Sequence, residues 1–362
     1  MTRLRHTLIA GMTVALLALG LGGCGLFDEA ETLHAGGTIS GNEVWDGGDH
    51  LVTGDIYVTG SLTIASCALV RMDNQVSITV KDGGSIRSLG TTDCPVTITS
   101  SKAAPAAGDW NRIDIYETAS NNNAFAWTEF QYGGDDAYGL LWIDGGATVA
   151  VDNCTFFHIK KSAMVIERDA EIISFTGNTF DTLGGPLLTM AASVSPAIGP
   201  VTSLRNTKNY VQITDGTAEE TGTWRNLGVP YHCESLYIHA AITVEAGVTL
   251  AMDPNASIDV SDGGSLRLMG AEGNRVTVTS SKAAPAAGDW TEIDIYNTAS
   301  NNCRFQYADI LYGGGDGTYG ALWVDGGVTV ELDHVTFEDN EACDVSGDGT
   351  VTATATPYQY CE

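Results

Sequence analysis

The sequence predicts an all-β chain, built as a solenoid of short parallel strands and copied once within itself. Three observations carry that reading. The first is repetition: Ser100–Trp110, SSKAAPAAGDW, returns letter for letter as Ser280–Trp290, and Ile113-Asp-Ile-Tyr116 returns as Ile293-Asp-Ile-Tyr296. The second is punctuation. Short β-type runs such as Leu62-Thr-Ile64, Val76-Ser-Ile-Thr-Val80 and Val96-Thr-Ile-Thr99 are closed by Gly, Asp or Asn. The third is spacing, because the gaps between runs are too short to hold helices, which excludes a βαβ fold. Antiparallel β is the competitor, but Asn-Gly hairpin turns are scarce. Coils, unlike a closed core, can be duplicated in register.

In chain order, residues 1–23 read as a targeting segment. Arg3 and Arg5 precede an apolar run from Leu8 to Leu21 that is too short for a convincing membrane span. The run ends in Leu21-Gly22-Gly23-Cys24, which resembles the lipobox of bacterial lipoproteins. That resemblance implies cleavage before Cys24, acylation of Cys24 and attachment to the bacterial cell envelope, since several acyl chains anchor durably. Gly25, where Asp would favour inner-membrane retention, points to the outer membrane. Residues 24–37 lack periodicity and read as an acylated tether. Residues 38–362 carry the solenoid: copies at about 43–166 and 224–343, linking coils at 167–223, with Pro196 and Pro200 expected in a surface loop.

Further motifs carry a second resemblance. Leu62-Thr-Ile-Ala, Asp82-Gly-Gly-Ser-Ile and Gly108-Asp-Trp are similar to the right-handed parallel β-helix of bacterial surface lipoproteins and exoproteins, as are their partners in the second copy. Val151-Asp-Asn-Cys-Thr-Phe156, Phe175-Thr-Gly-Asn-Thr-Phe180 and Leu332-Asp-His-Val-Thr-Phe337 resemble the coil ending of pectate-lyase-like β-helices. The resemblance implies a single-stranded right-handed parallel β-helix in which Asn stacks in a turn and Phe points inward. At about 4.8 Å per coil, about 13 coils make a rod of roughly 60 Å. Its ends are open sheet edges, and the irregular C-terminus is the candidate cover for one. Fold does not decide function here, because the same coils carry lyases, hydrolases and structural proteins.

The formal charge of −28 comes from a shortage of basic residues, with 17 Lys and Arg against 45 Asp and Glu. Nucleic acid is excluded as a partner, since phosphate binding needs clustered cations. In an oxidising compartment the cysteines beyond Cys24 can pair. Cys67 and Cys94 are absent together from the second copy, replaced by Gly247 and Asn274, and are expected to bond; Cys343 and Cys361 are the second expected pair. Calcium is the one cofactor suggested. Asp344-Val-Ser-Gly-Asp348-Gly resembles the start of a calcium loop, but Ala355 stands where the closing acid belongs, so a turn is the first reading.

Duplication also filters the site residues. Asp109/Asp289, Trp110/Trp290, Asp114/Asp294 and Asp144/Asp325 occur twice and read as structural, while Trp142 and Trp323 could form either a sugar-stacking strip or a packing ladder. Unduplicated candidates for catalysis are His158, Lys160, Lys161 and Arg168, beside Glu167. A lyase would use such a base near calcium-binding carboxylates, and a hydrolase would use paired acids. The sequence matches neither set, lacking Asn-Thr-Asp, Gly-His-Gly and Arg-Ile-Lys. The expectation is therefore a non-catalytic envelope lipoprotein, structural or adhesive, that binds glycan or protein along one face. A carbohydrate-active enzyme, lyase or glycoside hydrolase, is the alternative.

Overall fold

The computed structural model describes residues 31–361 apart from Asp316 and Thr318. Cys24 and the targeting segment lie outside the described residues. Every strand pairing between named strands is parallel and joins successive turns; one face runs through all 13 strands, while the other two are interrupted after Glu171–Thr176 and Thr202–Leu204. The longest sheet has 13 strands, so the chain makes about 13 turns of an all-β solenoid.

Each strand alternates inward and outward residues, as a half-buried strand must. Ile56, Ile78, Ile113, Leu141, Met164 and Leu188 align in register as one inward column, all buried. Phe130, Phe156 and Phe180 form another, with successive ring centroids 5.1 Å apart and planes within 14°. Each such side chain contributes about 1.5–3 kcal/mol by leaving water, and the stack makes one continuous core.

Corners between strands are made by residues in the left-handed region: Gln75 and Asn255 (φ 63° and 62°), Asp82 and Asp262 (52° and 51°), Trp127 and Tyr307 (48° and 45°). Asn and Asp enter this region at low cost, which explains the punctuation of the sequence. No asparagine ladder forms at the corner where resemblance implied one. That position is Asn153 in one turn and Gly177 in the next, and Asn178 instead spans two turns, accepting from Cys154 N–H at 2.9 Å and donating to the Val151 carbonyl at 2.8 Å.

The duplicated stretch Ser100–Trp110 is a loop clamp. Buried Asp109 accepts from Ser100 Oγ (2.7 Å), Lys102 Nζ (2.7 Å) and Ala106 N–H (2.8 Å), and Asp289 repeats all three bonds with Ser280, Lys282 and Ala286. Burial pushes the Asp289 carboxyl up, but these donors outweigh it and bring its pKa down to about 2. Trp110 and Trp290 are fully buried, each indole N–H donating to a carbonyl at 2.8 Å. A glycine must follow beneath each ring: a Cβ on Gly133 would lie 2.6 Å from Trp110, and one on Gly313 2.8 Å from Trp290.

The two copies do not sit with like faces aligned. Ile113–Ile115 belongs to the 13-stranded sheet, but its duplicate Ile293–Ile295 belongs to a six-stranded sheet. Conversely, Val96–Ser100 lies in the eight-stranded sheet, and its duplicate Val276–Ser280 continues the 13-stranded one. The second copy is thus advanced by one face. The change occurs beside Ala192–Ala197, a 3₁₀ helix where a strand of the third face would fall. Pro196 stands inside it and cannot donate to a ladder. The surface loop expected from sequence holds for Pro200, exposed outside any strand, but not for Pro196: Ala192, Val194 and Ser195 beside it are buried, and a Cβ on Gly222 would meet Pro196 at 2.5 Å.

Disulfides join Cys67 to Cys94 and Cys343 to Cys361, while Cys154, Cys233 and Cys303 are free and buried. The C-terminal tail closes the last turn, where Cys361 N–H donates to the Val345 carbonyl at 2.9 Å.

Candidate binding faces

The catalytic candidates from sequence do not converge. His158 holds a corner at φ 53°, packed against Tyr132 and Phe157, with ring centroids 5.5 and 4.1 Å away. Lys160 pairs with Asp135 and Lys161 is exposed, both on the lead-in to strand Met164–Ile166. Arg168 lies past the other end of that strand and forks onto Asp215. The two cations are therefore committed to separate carboxylates across a strand. Of the calcium candidates, Asp344 accepts the Gln359 N–H at 2.7 Å and Asp348 lies over Gly326. Among the described residues no group of three or more His, Cys, Asp or Glu is placed to hold a metal ion.

Side-chain direction reveals a different constellation. On the first copy, Tyr57, Thr79, Asp114 and Trp142 occupy one outward column, in register on four neighbouring strands. On the second, Tyr237, Asp259, Asp294 and Trp323 occupy the matching column. Tyr116 and Tyr138 each stand 5.2 Å from Trp142, ring to ring, and Tyr319 stands 4.4 Å from Trp323. Because the copies are rotated by one face, Trp142 and Trp323 lie on different sheets and do not form one strip.

The columns share aromatic residues but differ in charge. On the first copy Arg112 pairs with Asp114 and Asp136 and lies over the Tyr138 ring, while Lys81 lies 5.2 Å over Tyr57. Tyr57, Thr79, Lys81, Arg112, Asp114 and Tyr116 line an open groove of about 430 Å³. The equivalents of Thr79, Lys81 and Arg112 in the second copy are Asp259, Ser261 and Glu292. There burial pushes the Asp294 carboxyl up, Tyr296 opposes this by hydrogen bonding, and Asp325 and Asp259 add repulsion, so that its pKa reaches about 6. Asp114 is raised by burial too, with Arg112 and Thr79 opposing.

The duplication filter grouped Asp114 and Asp294 with the structural residues and passed over the tyrosines. The usable signal was alternation: inward Ile113 and Ile115 set Asp114 on the outer side of its strand, where it is only 2% exposed and paired with Arg112.

A family model described as a pectate-lyase like beta helix domain matches residues 37–140. No curated protein matches the chain, and no solved structure does. The matched stretch holds Tyr57, Thr79 and Asp114 and ends two residues before Trp142. The chain is an all-β parallel β-solenoid, similar over residues 37–140 to that domain and repeating the same coil through the rest of its described length.

Proposed function

We propose that this chain is a non-catalytic envelope lipoprotein whose rod binds glycan on two side faces. The observation that carries the reading is the doubled outward column, Tyr57-Thr79-Asp114-Trp142 and Tyr237-Asp259-Asp294-Trp323. Packing does not require an outward tyrosine, aspartate and tryptophan to survive duplication. Aromatic faces beside carboxylates match a sugar, whose C–H face stacks on a ring and whose hydroxyls donate to the acid. Binding is favoured over cleavage because Lys160 and Arg168 are held in ion pairs on opposite ends of one strand. Anchoring rests on the Leu21-Gly-Gly-Cys24 motif.

The test uses the full chain, purified in detergent, against immobilised neutral, amino and uronic polysaccharides, scoring both retention and new chain ends. Retention without new ends, weakened at least fivefold by Trp142→Ala, is expected. New chain ends lost in Lys160→Ala or Arg168→Ala would establish the enzyme instead. Radiolabelled palmitate entering the chain but not its Cys24→Ser variant checks the anchor.

A further inference from the structure

The last turn holds a second concave site, apart from the groove on the first copy's side face. In the first copy Trp142 stands in register with Val165 of the next strand, and its indole N–H donates to Glu167 at 3.2 Å, so the next turn packs beside it and leaves it partly exposed. In the second copy Trp323 stands opposite the small Ser346, and its N–H turns back to Asp325 at 2.7 Å. The tail then folds over this position. Cys361 is bonded to Cys343, and the Tyr360 hydroxyl donates to the Gly347 carbonyl. The result is a cavity of about 650 Å³ lined chiefly by Tyr319, Trp323, Ser346, Asp348 and Tyr360.

The lining selects one class of occupant. Three aromatic rings around one carboxylate fit a pyranose, whose C–H faces stack while a hydroxyl donates to Asp348. The volume lies within the usual range for small-molecule sites, about 300–1,000 Å³. No Lys or Arg lines the cavity, and the chain carries a formal charge of −28, so uronic and sulfated sugars are repelled. We propose that this cavity is a separate sugar subsite, taking the neutral pyranose end of a glycan at the tip of the rod. The proposal rests on the glycan-binding reading and adds ligand class and place. With 13 strands at about 4.8 Å, the tip lies roughly 60 Å from the first turn, so a chain anchored at Cys24 would present it away from the membrane.

The experiment measures binding of cellobiose, lactose and N,N′-diacetylchitobiose to the full chain in detergent, by saturation-transfer NMR and tryptophan fluorescence. Digalacturonate serves as the anionic probe. At least one neutral disaccharide is expected to bind, with affinity reduced tenfold or more by Tyr360→Ala and by Asp348→Asn. Leu33→Ala, on the exposed first turn, should change it less than twofold. Asp348→Asn preserves shape, so the test stands if Tyr360→Ala disturbs the tail. Loss in Trp142→Ala with no effect of the tip variants would overturn the tip site and leave the side faces standing. Digalacturonate binding as tightly as the neutral sugars would overturn the selectivity. Polysaccharide retention without disaccharide binding would overturn the tip site alone, and failure of both would overturn the glycan reading as well. Self-association relieved by Tyr360→Ala, with no sugar bound, would assign the cavity to a second copy.

Discussion

Asp294 offers the sharpest test of how the outward columns are built. Burial, with Asp325 and Asp259 nearby, lifts its carboxyl from an ordinary 3.8 to about 6. A shift of about two units corresponds to about 3 kcal/mol at 1.36 kcal/mol per unit, and partial exposure reduces this to about 1–2 kcal/mol. The folded chain therefore holds this proton more tightly than the unfolded chain does. Between about pH 4 and 6 the native state is protonated while the unfolded state is ionised, so stability falls as pH rises, and the full penalty applies above about 6. Replacing Asp294 with Asn removes the charge and keeps the shape. Asp294→Asn should stabilise the chain by about 1–2 kcal/mol near pH 7.5 and leave it unchanged below about pH 4. Glu292→Arg, which restores the residue found at Arg112, should lower the Asp294 pKa by about one unit or more. Carboxyl-resolved NMR titration gives the pKa, and urea midpoints at the two pH values give the stability. An Asp294 titrating near 4, or an Asn variant equally destabilised at both pH values, would refute the argument.

Three further outcomes follow from the same structure. The Cys67–Cys94 bond closes a separation of 27 residues, worth up to about 3.5 kcal/mol by chain entropy. Cys67→Ser with Cys94→Ser should therefore lower the urea midpoint, while Cys67→Gly with Cys94→Asn, the second-copy residues, should recover about 1 kcal/mol because Cys67 sits at φ 70°. Burial raises the Cys154 thiol to about 12 and raises Cys233 and Cys303 as well, so a thiol reagent near pH 7.5 should label none of them before unfolding and all three after it. Asp289→Ala strips the clamp of its acceptor and should cost about 2–4 kcal/mol at neutral pH. Because the folded pKa is depressed to about 2, that loss should shrink as acid carries the wild-type chain from about pH 4 to 2.

Much of the fold was legible because the physics behind it is local. Alternation placed Ile and Val inward, and Gly, Asp and Asn marked corners that need left-handed backbone, as Asp82 and Asp262 show. The one-face rotation between copies was not legible. Ile113–Ile115 and Ile293–Ile295 are identical strings in different sheets. Which sheet a strand joins depends on how many strand-length segments separate the copies, and the linking coils make that number other than a whole number of turns.

The outward columns were not legible for a different reason. A duplication keeps two kinds of residue, those that packing needs and those that the surface uses, and identity alone does not separate them. Asp109 and Asp114 make the point, five positions apart and both retained. Asp109 spends its oxygens on Ser100, Lys102 and Ala106, inside a loop that would open without it. Asp114 lies in an outward column between Thr79 and Trp142, where its carboxyl is raised despite the help of Arg112. The second copy lacks that help, with Glu292 at the equivalent position, and still has Asp294. On the glycan-binding reading proposed above, a residue kept at a cost to the fold without a stabilising partner answers to what approaches from solvent.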